Sequence, residues 1–116
     1  MDLRKIMHSC FNKDKDKIKI NANNTIHHEI VKAVVCVILN KHNRHFYTEG
    51  IFKNKSRADI IDIDEMTIIE ILNTETKEQL LKKEYPLHIY PIKLDADIKE
   101  AVDKLVELVK NKLWNM

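Results

Sequence analysis

Asp59 and Glu70 each sit inside a run rich in isoleucine, RADII and TIIEIL, with the polar stretch Asp62 to Thr67 between them. β-branched residues stack well on a pleated surface, so each run predicts a strand and the polar stretch predicts a hairpin tip. With Asp64 and Glu65 as turn residues, Asp62 falls opposite Thr67, Ile60 opposite Ile69, and Asp59 opposite Glu70. Directly opposed side chains lie on one face, with Cβ atoms about 4.5–5.5 Å apart. Two carboxylates placed among Ile61, Ile63, Ile68 and Leu72 repel one another, and burying them unpartnered costs several kcal/mol. A divalent cation offsets both effects. The plain alternative pairs Asp59 with Arg57 or a lysine and leaves Glu70 at an exposed strand edge. Register decides between them, because a slip of odd parity puts the two acids on opposite faces.

The elements around this pair follow from capping and periodicity. Met1 to Phe11 predicts a short helix, Asn12 to Lys17 a solvated loop, and Ile18 to Ile20 a short edge strand or lead-in. Asn23, Asn24 and Thr25 are good caps for a helix running to about Lys41. Its rows Ile26, Ile30, Val34, Ile38 and Val31, Val35, Leu39 predict packing on more than one face. Glu29 falls on the stripe with Ala33, Cys36 and Asn40, where it either joins the acidic pair or supports the helix N-terminus by its charge. Arg44 to Phe52 predicts a first strand with Glu49 near its end, a site acid or a solvated one, and Lys53 to Ser56 is a basic turn. Thr76 and Gln79 form a capping box for a short helix that Pro86 stops, while Glu75 reads as a cap. Leu87 to Leu94 predicts a last strand, with Pro91 at an end or edge, and Asp97 followed by Glu100 opens a final amphipathic helix. Three strands in sequence, a crossover helix and a fourth strand predict an α/β fold, a mixed four-stranded sheet in αβββαβ order covered on both sides.

The totals limit the classes of function. At 116 residues the chain makes one domain, divided into an arm (1–22), a core (23–94) and a C-terminal helix (95–116). With 44% hydrophobic and 33% charged residues it is globular rather than disordered. No apolar run nears the roughly 20 residues that span a bilayer, and MDLRKIMHSC lacks a signal-peptide core, so a soluble, cytoplasmic protein is expected. Cys10 and Cys36 indicate neither a disulfide framework nor a zinc site. A net charge of +2 permits nucleic-acid binding without arguing for it.

The order of elements, with an Asp in the second core strand and a Glu in the third, resembles the PD-(D/E)xK, or restriction-endonuclease-like, nucleases. HHEIVKAVVCVIL, FYTEGIFKNKSRADIIDID, TIIEILNTET and EYPLHIYPIKL resemble small nuclease-like proteins of archaea and their viruses and plasmids, over roughly Thr25 to Leu94. The resemblance implies that Asp59 binds metal, that Glu70 is the Glu of the E-x-K motif, and that Glu29 is the helix Glu beside the metal. Position 72, where the family places its Lys, holds Leu72. Some members take this Lys from the following helix, which offers Lys77, Lys82 or Lys83, with Lys82 preferred for its reach to the strand end. Mg²⁺ or Mn²⁺ held by Asp59, Glu70 and the Ile71 carbonyl would polarise a phosphoryl oxygen and acidify a bound water. The resemblance thus implies a divalent-metal-dependent nuclease acting on DNA, or on RNA. Leu72 favours a second reading, a nuclease-fold module that binds nucleic acid or assembles without turnover.

Other polar residues carry weaker signals. Arg57, Lys53 and Lys55 suit contact with a phosphate backbone, or are simply a solvated loop. His27 and His28, without Cys partners, make a poor zinc signature and suit a surface or phosphate-contacting role. Tyr47, Tyr85, Tyr90 and Trp114 are too scattered for a base-stacking platform. The stripe of the last helix covers the sheet or pairs with a second copy as a homodimer, with Trp114 as anchor.

Overall fold

Isoleucine-rich strands need cover on both faces, and the chain supplies it with helices on one side and its N-terminal arm on the other. The computed structural model describes residues 2–8 and 12–115, with only the backbone of Asn12 and Lys77 included. Its elements are α1 (Ile26–Lys41), β1 (Phe46–Ile51), β2 (Arg57–Asp62), β3 (Thr67–Leu72), α2 (Lys77–Leu81), β4 (His88–Lys93) and α3 (Ala96–Trp114). The four strands form one mixed sheet in the order β1-β2-β3-β4, antiparallel except for the parallel pair β3–β4 that the α2 crossover joins. Cys36 and Leu39 of α1 pack on Phe46, Ile60 and Ile71, with Leu94 beside them. On the opposite face, Leu3 and Met7 of the arm pack with Tyr47, Phe52, Ile61 and Ile68.

Local chemistry sets the ends of the elements. Thr25 caps α1 by accepting the His28 N–H at 3.2 Å. The helix closes in a Schellman turn, with Asn43 at a left-handed φ of 59° and the Arg44 N–H on the Leu39 carbonyl at 2.9 Å. The hairpin pairs Ile60 with Ile69, Ile61 with Ile68 and Asp62 with Thr67, the register expected from the isoleucine pattern. Its tip is a four-residue turn, Ile63 to Met66, rather than a two-residue one, and Met66 takes the left-handed conformation at φ 54°. Asp62 is buried and holds that tip, accepting the Asp64 and Glu65 N–H groups at 3.1 Å and pairing with Arg44 at 3.1 Å.

Several expectations change. In the described part of the arm, 3-10 turns form at Leu3–Lys5 and Asn12–Asp14 with a bridge from Met7 to Phe52, and residues 9–11, including Cys10, lie outside the described part. Leu3 and Met7 of the expected apolar row bury against the sheet, with Met7 bridged to Phe52 just past the end of β1. Ile18 to Ile20 is not a strand. α1 packs against the sheet and against α3, with His27 Nε2 2.7 Å from Asp103, while Ile26, Val34, Val37 and Ile38 are each about half exposed. Asp95, not Asp97, caps α3, accepting the Ile98 N–H at 2.8 Å. Among the described residues no helix is long and apolar enough to cross a membrane.

Candidate functional site

The β2–β3 ladder ends at Ile60↔Ile69, just where Asp59 and Glu70 would pair next. Beyond it the Asp59 carboxylate replaces a backbone partner, its Oδ2 accepting the Ile71 N–H at 2.9 Å. Ala58 and Ile61 belong to one core cluster and Ile60 to the other, so the alternation of β2 is broken at Asp59. Across β2, Glu49 of β1 takes a left-handed φ of 54°, in the middle of its strand rather than at its end. A non-glycine residue in that region costs of order 1–3 kcal/mol and persists only where its surroundings hold it. The sheet is thus split at one level, and the split opens into a cavity of about 360 Å³.

Asp59, Glu70, Glu49 and Ile71 line this cavity, with Arg57 and Lys83 on its wall. Asp59 and Glu70 are close enough to share a hydrogen bond, and they titrate in opposite directions. Burial and the neighbouring Asp59 carboxylate push Glu70 far above the usual range, so Glu70 carries a proton at neutral pH. Burial also raises Asp59, but hydrogen bonds from His28, Glu70 and the Ile71 amide, with the His28 charge, outweigh it and hold the group below the usual range. Tyr85 places its hydroxyl against Glu70 and 2.8 Å from the Arg57 carbonyl. Burial and the Glu70 contact drive the Tyr85 phenol upward, so it stays protonated.

His28 connects the acids to α1. Its Nε2 is 3.1 Å from Asp59 Oδ2 and its Nδ1 is 2.7 Å from Glu29 Oε2. Both nitrogens can donate only in the imidazolium. Burial opposes that form, but the two carboxylates raise the His28 pKa overall. Glu29 also accepts the Lys32 ammonium at 2.6 Å, the Asn21 N–H at 2.5 Å and the Asn24 amide at 3.2 Å. These contacts hold Glu29 below its usual pKa despite burial. Glu29 does not line the cavity; it holds His28 and Lys32 in place. Lys32 is wholly buried, and its second partner is Glu49 Oε2 at 3.7 Å. Among the described residues, that oxygen is the buried side-chain acceptor left without a hydrogen bond.

Of the lysines offered after β3, the structure brings Lys83 and not Lys82 to the cavity. Lys82 is the exposed C-cap of α2 and lines no part of the cavity, whereas Lys83 lines it and pairs with Glu75 at 3.1 Å. The Lys77 side chain lies outside the described residues. Leu72 is buried, at 3% exposure. Lys55, Arg57 and Lys83 line a second groove, of about 550 Å³, which shares Arg57 and Lys83 with the first. Lys53 is exposed and lines neither. The sequence assigns His28 only a surface or phosphate-contacting role, and assigns Lys32 and Tyr85 no place in the site. Lys32 three residues after Glu29 was a detectable helical pair, whereas nothing near Tyr85 signalled its reach.

The atoms available to a hard divalent cation are carboxylates, a carbonyl, and a Glu49 oxygen that lacks a hydrogen bond. Among the described residues no group of three or more His, Cys, Asp and Glu is arranged to hold a metal. Mg²⁺ needs fewer, since it commonly keeps several waters beside one or two carboxylates. A comparison with protein-family models, with curated proteins and with solved structures finds no match for the chain.

Proposed function

We propose that the chain is a divalent-metal-dependent nuclease of the PD-(D/E)xK type, hydrolysing phosphodiester bonds in DNA. The observation that carries this is the meeting of Asp59 and Glu70 at the break in the sheet, on the floor of an open cavity walled by Arg57 and Lys83. Asp59, Glu70 and the Ile71 carbonyl would hold Mg²⁺ or Mn²⁺, which polarises a phosphoryl oxygen and lowers the pKa of a bound water. His28 fixes the Asp59 carboxylate, and Tyr85 fixes that of Glu70. Lys83 takes the place left by Leu72, its ammonium stabilising charge that develops on the scissile phosphate. Arg57 and Lys55 contact the phosphates on either side.

The test is incubation of supercoiled and single-stranded DNA with Mg²⁺ or Mn²⁺. The wild type cuts, Asp59→Ala and Glu70→Ala do not, and Lys83→Ala lowers the rate by about 10²-fold or more. Leu72 favours a second reading, a protein of this fold that binds nucleic acid without turnover. Gel retardation by the wild type with no cleavage under any metal would select it.

A further inference from the structure

The largest feature outside the site is apolar. On α1, Ile26, Val34, Val37 and Ile38 line one outward row. On α3, Leu105, Leu108, Val109, Leu113 and Trp114 are each half exposed or more. Past Val102 no residue of α3 is buried, so its second half stands off the fold. Between that half and Ile30 of α1 lies a groove of about 530 Å³, lined by Leu105, Val106, Val109, Leu113 and Trp114.

We propose that a second copy of this chain covers this face, the C-terminal halves of the two α3 helices pairing antiparallel across a two-fold axis near Val109. Area and charge both select this occupant. The α3 residues alone, at these exposures, leave on the order of 600 Å² uncovered, the top of the roughly 300–600 Å² of the largest patch on a typical monomer and about what each partner of a small stable interface buries. Charge sets the direction. The first half of α3 carries Asp97, Glu100 and Asp103 against Lys99 and Lys104, and the second half carries Lys110 and Lys112 against Glu107. Antiparallel pairing near Val109 sets Leu105 against Leu113 of the partner subunit and Glu107 beside Lys110 or Lys112 of the partner subunit. Parallel pairing would set like charges together and align the helix dipoles unfavourably. A bilayer surface is a poorer occupant, because helices that lie on membranes concentrate Lys and Arg on the polar face. Here acids are interleaved with the lysines.

Sedimentation of the full chain, with emission from its single tryptophan, Trp114, tests the pairing. A dimer is expected at tens of micromolar, with emission moving to shorter wavelength as concentration rises. Val109→Asp weakens association roughly 100-fold. Glu107→Lys weakens it about fivefold, and the combination of Glu107→Lys, Lys110→Glu and Lys112→Glu restores it. These exposed charge changes leave the folded monomer intact, as far-ultraviolet circular dichroism would verify. A wild type that stays monomeric at high concentration, with or without binding to lipid vesicles, overturns the proposal. So does a dimer indifferent to both Val109→Asp and the charge reversal.

Discussion

Lys32 has no access to water and is paired with Glu29 at 2.6 Å and Glu49 at 3.7 Å. Removing one partner of such a group leaves uncompensated charge inside the protein. Lys32→Met is therefore expected to cost about 3–5 kcal/mol in urea unfolding, and adding Glu29→Gln to it recovers part of that loss. Cys36 is the opposite case, a thiol with no exposure whose burial pushes its pKa up to about 12. In a Cys10→Ser background, the native protein should stay silent to a thiol reagent at pH 8 and react fully in denaturant. Glu70 carries the clearest dependence on pH. Its folded pKa is raised, so its contribution to stability is present below the unfolded value and is lost as pH rises toward the folded one. His28, also raised, acts in the same direction from its own unfolded value upward. Asp59 and Glu29 are lowered, and their contribution disappears as pH falls through the acid range. Without divalent ions, thermal stability should then peak on the mildly acidic side and fall toward pH 9. Glu70→Gln, which mimics the protonated form, should be more stable than wild type at pH 9 by about 1–3 kcal/mol. Parallel stability curves for the two proteins would refute this assignment.

At the scale of elements, the split between β2 and β3 matters more than the strands themselves. Isoleucine alternation set the register of the hairpin, because a slip of one residue would turn its whole apolar set outward. The split was not legible, since it is accompanied by left-handed backbone at Glu49, a residue type that does not advertise it. That Lys83 rather than Lys82 lines the cavity was hidden for a related reason. α2 ends at Leu81, and one residue at a helix end turns a side chain from solvent to cavity. Asn43 is a position where local chemistry can be checked directly. Its φ of 59° closes α1, so Asn43→Ala should cost about 1 kcal/mol while Asn43→Gly costs nothing or stabilises. Urea midpoints of the two variants would decide it; equal losses would mean that the Schellman turn contributes little.

The whole molecule measures 48 × 33 × 25 Å, and two surfaces with different chemistry share it. One is the acidic cleft with Arg57, Lys55 and Lys83 at its mouth, and the other is the apolar face of α1 and α3. The mild overall charge conceals this division, because cleft lysines are offset by acids elsewhere on the chain. The proposed function requires that Asp59 and Glu70 release a proton to solvent when a divalent ion binds them. Calorimetric titration of Mn²⁺ at neutral pH, in two buffers of different ionisation enthalpy, tests it most directly. The account predicts saturable binding with net proton release in the wild type, and no binding in Asp59→Ala. Absence of binding in the wild type, or binding unchanged by Asp59→Ala, would contradict it.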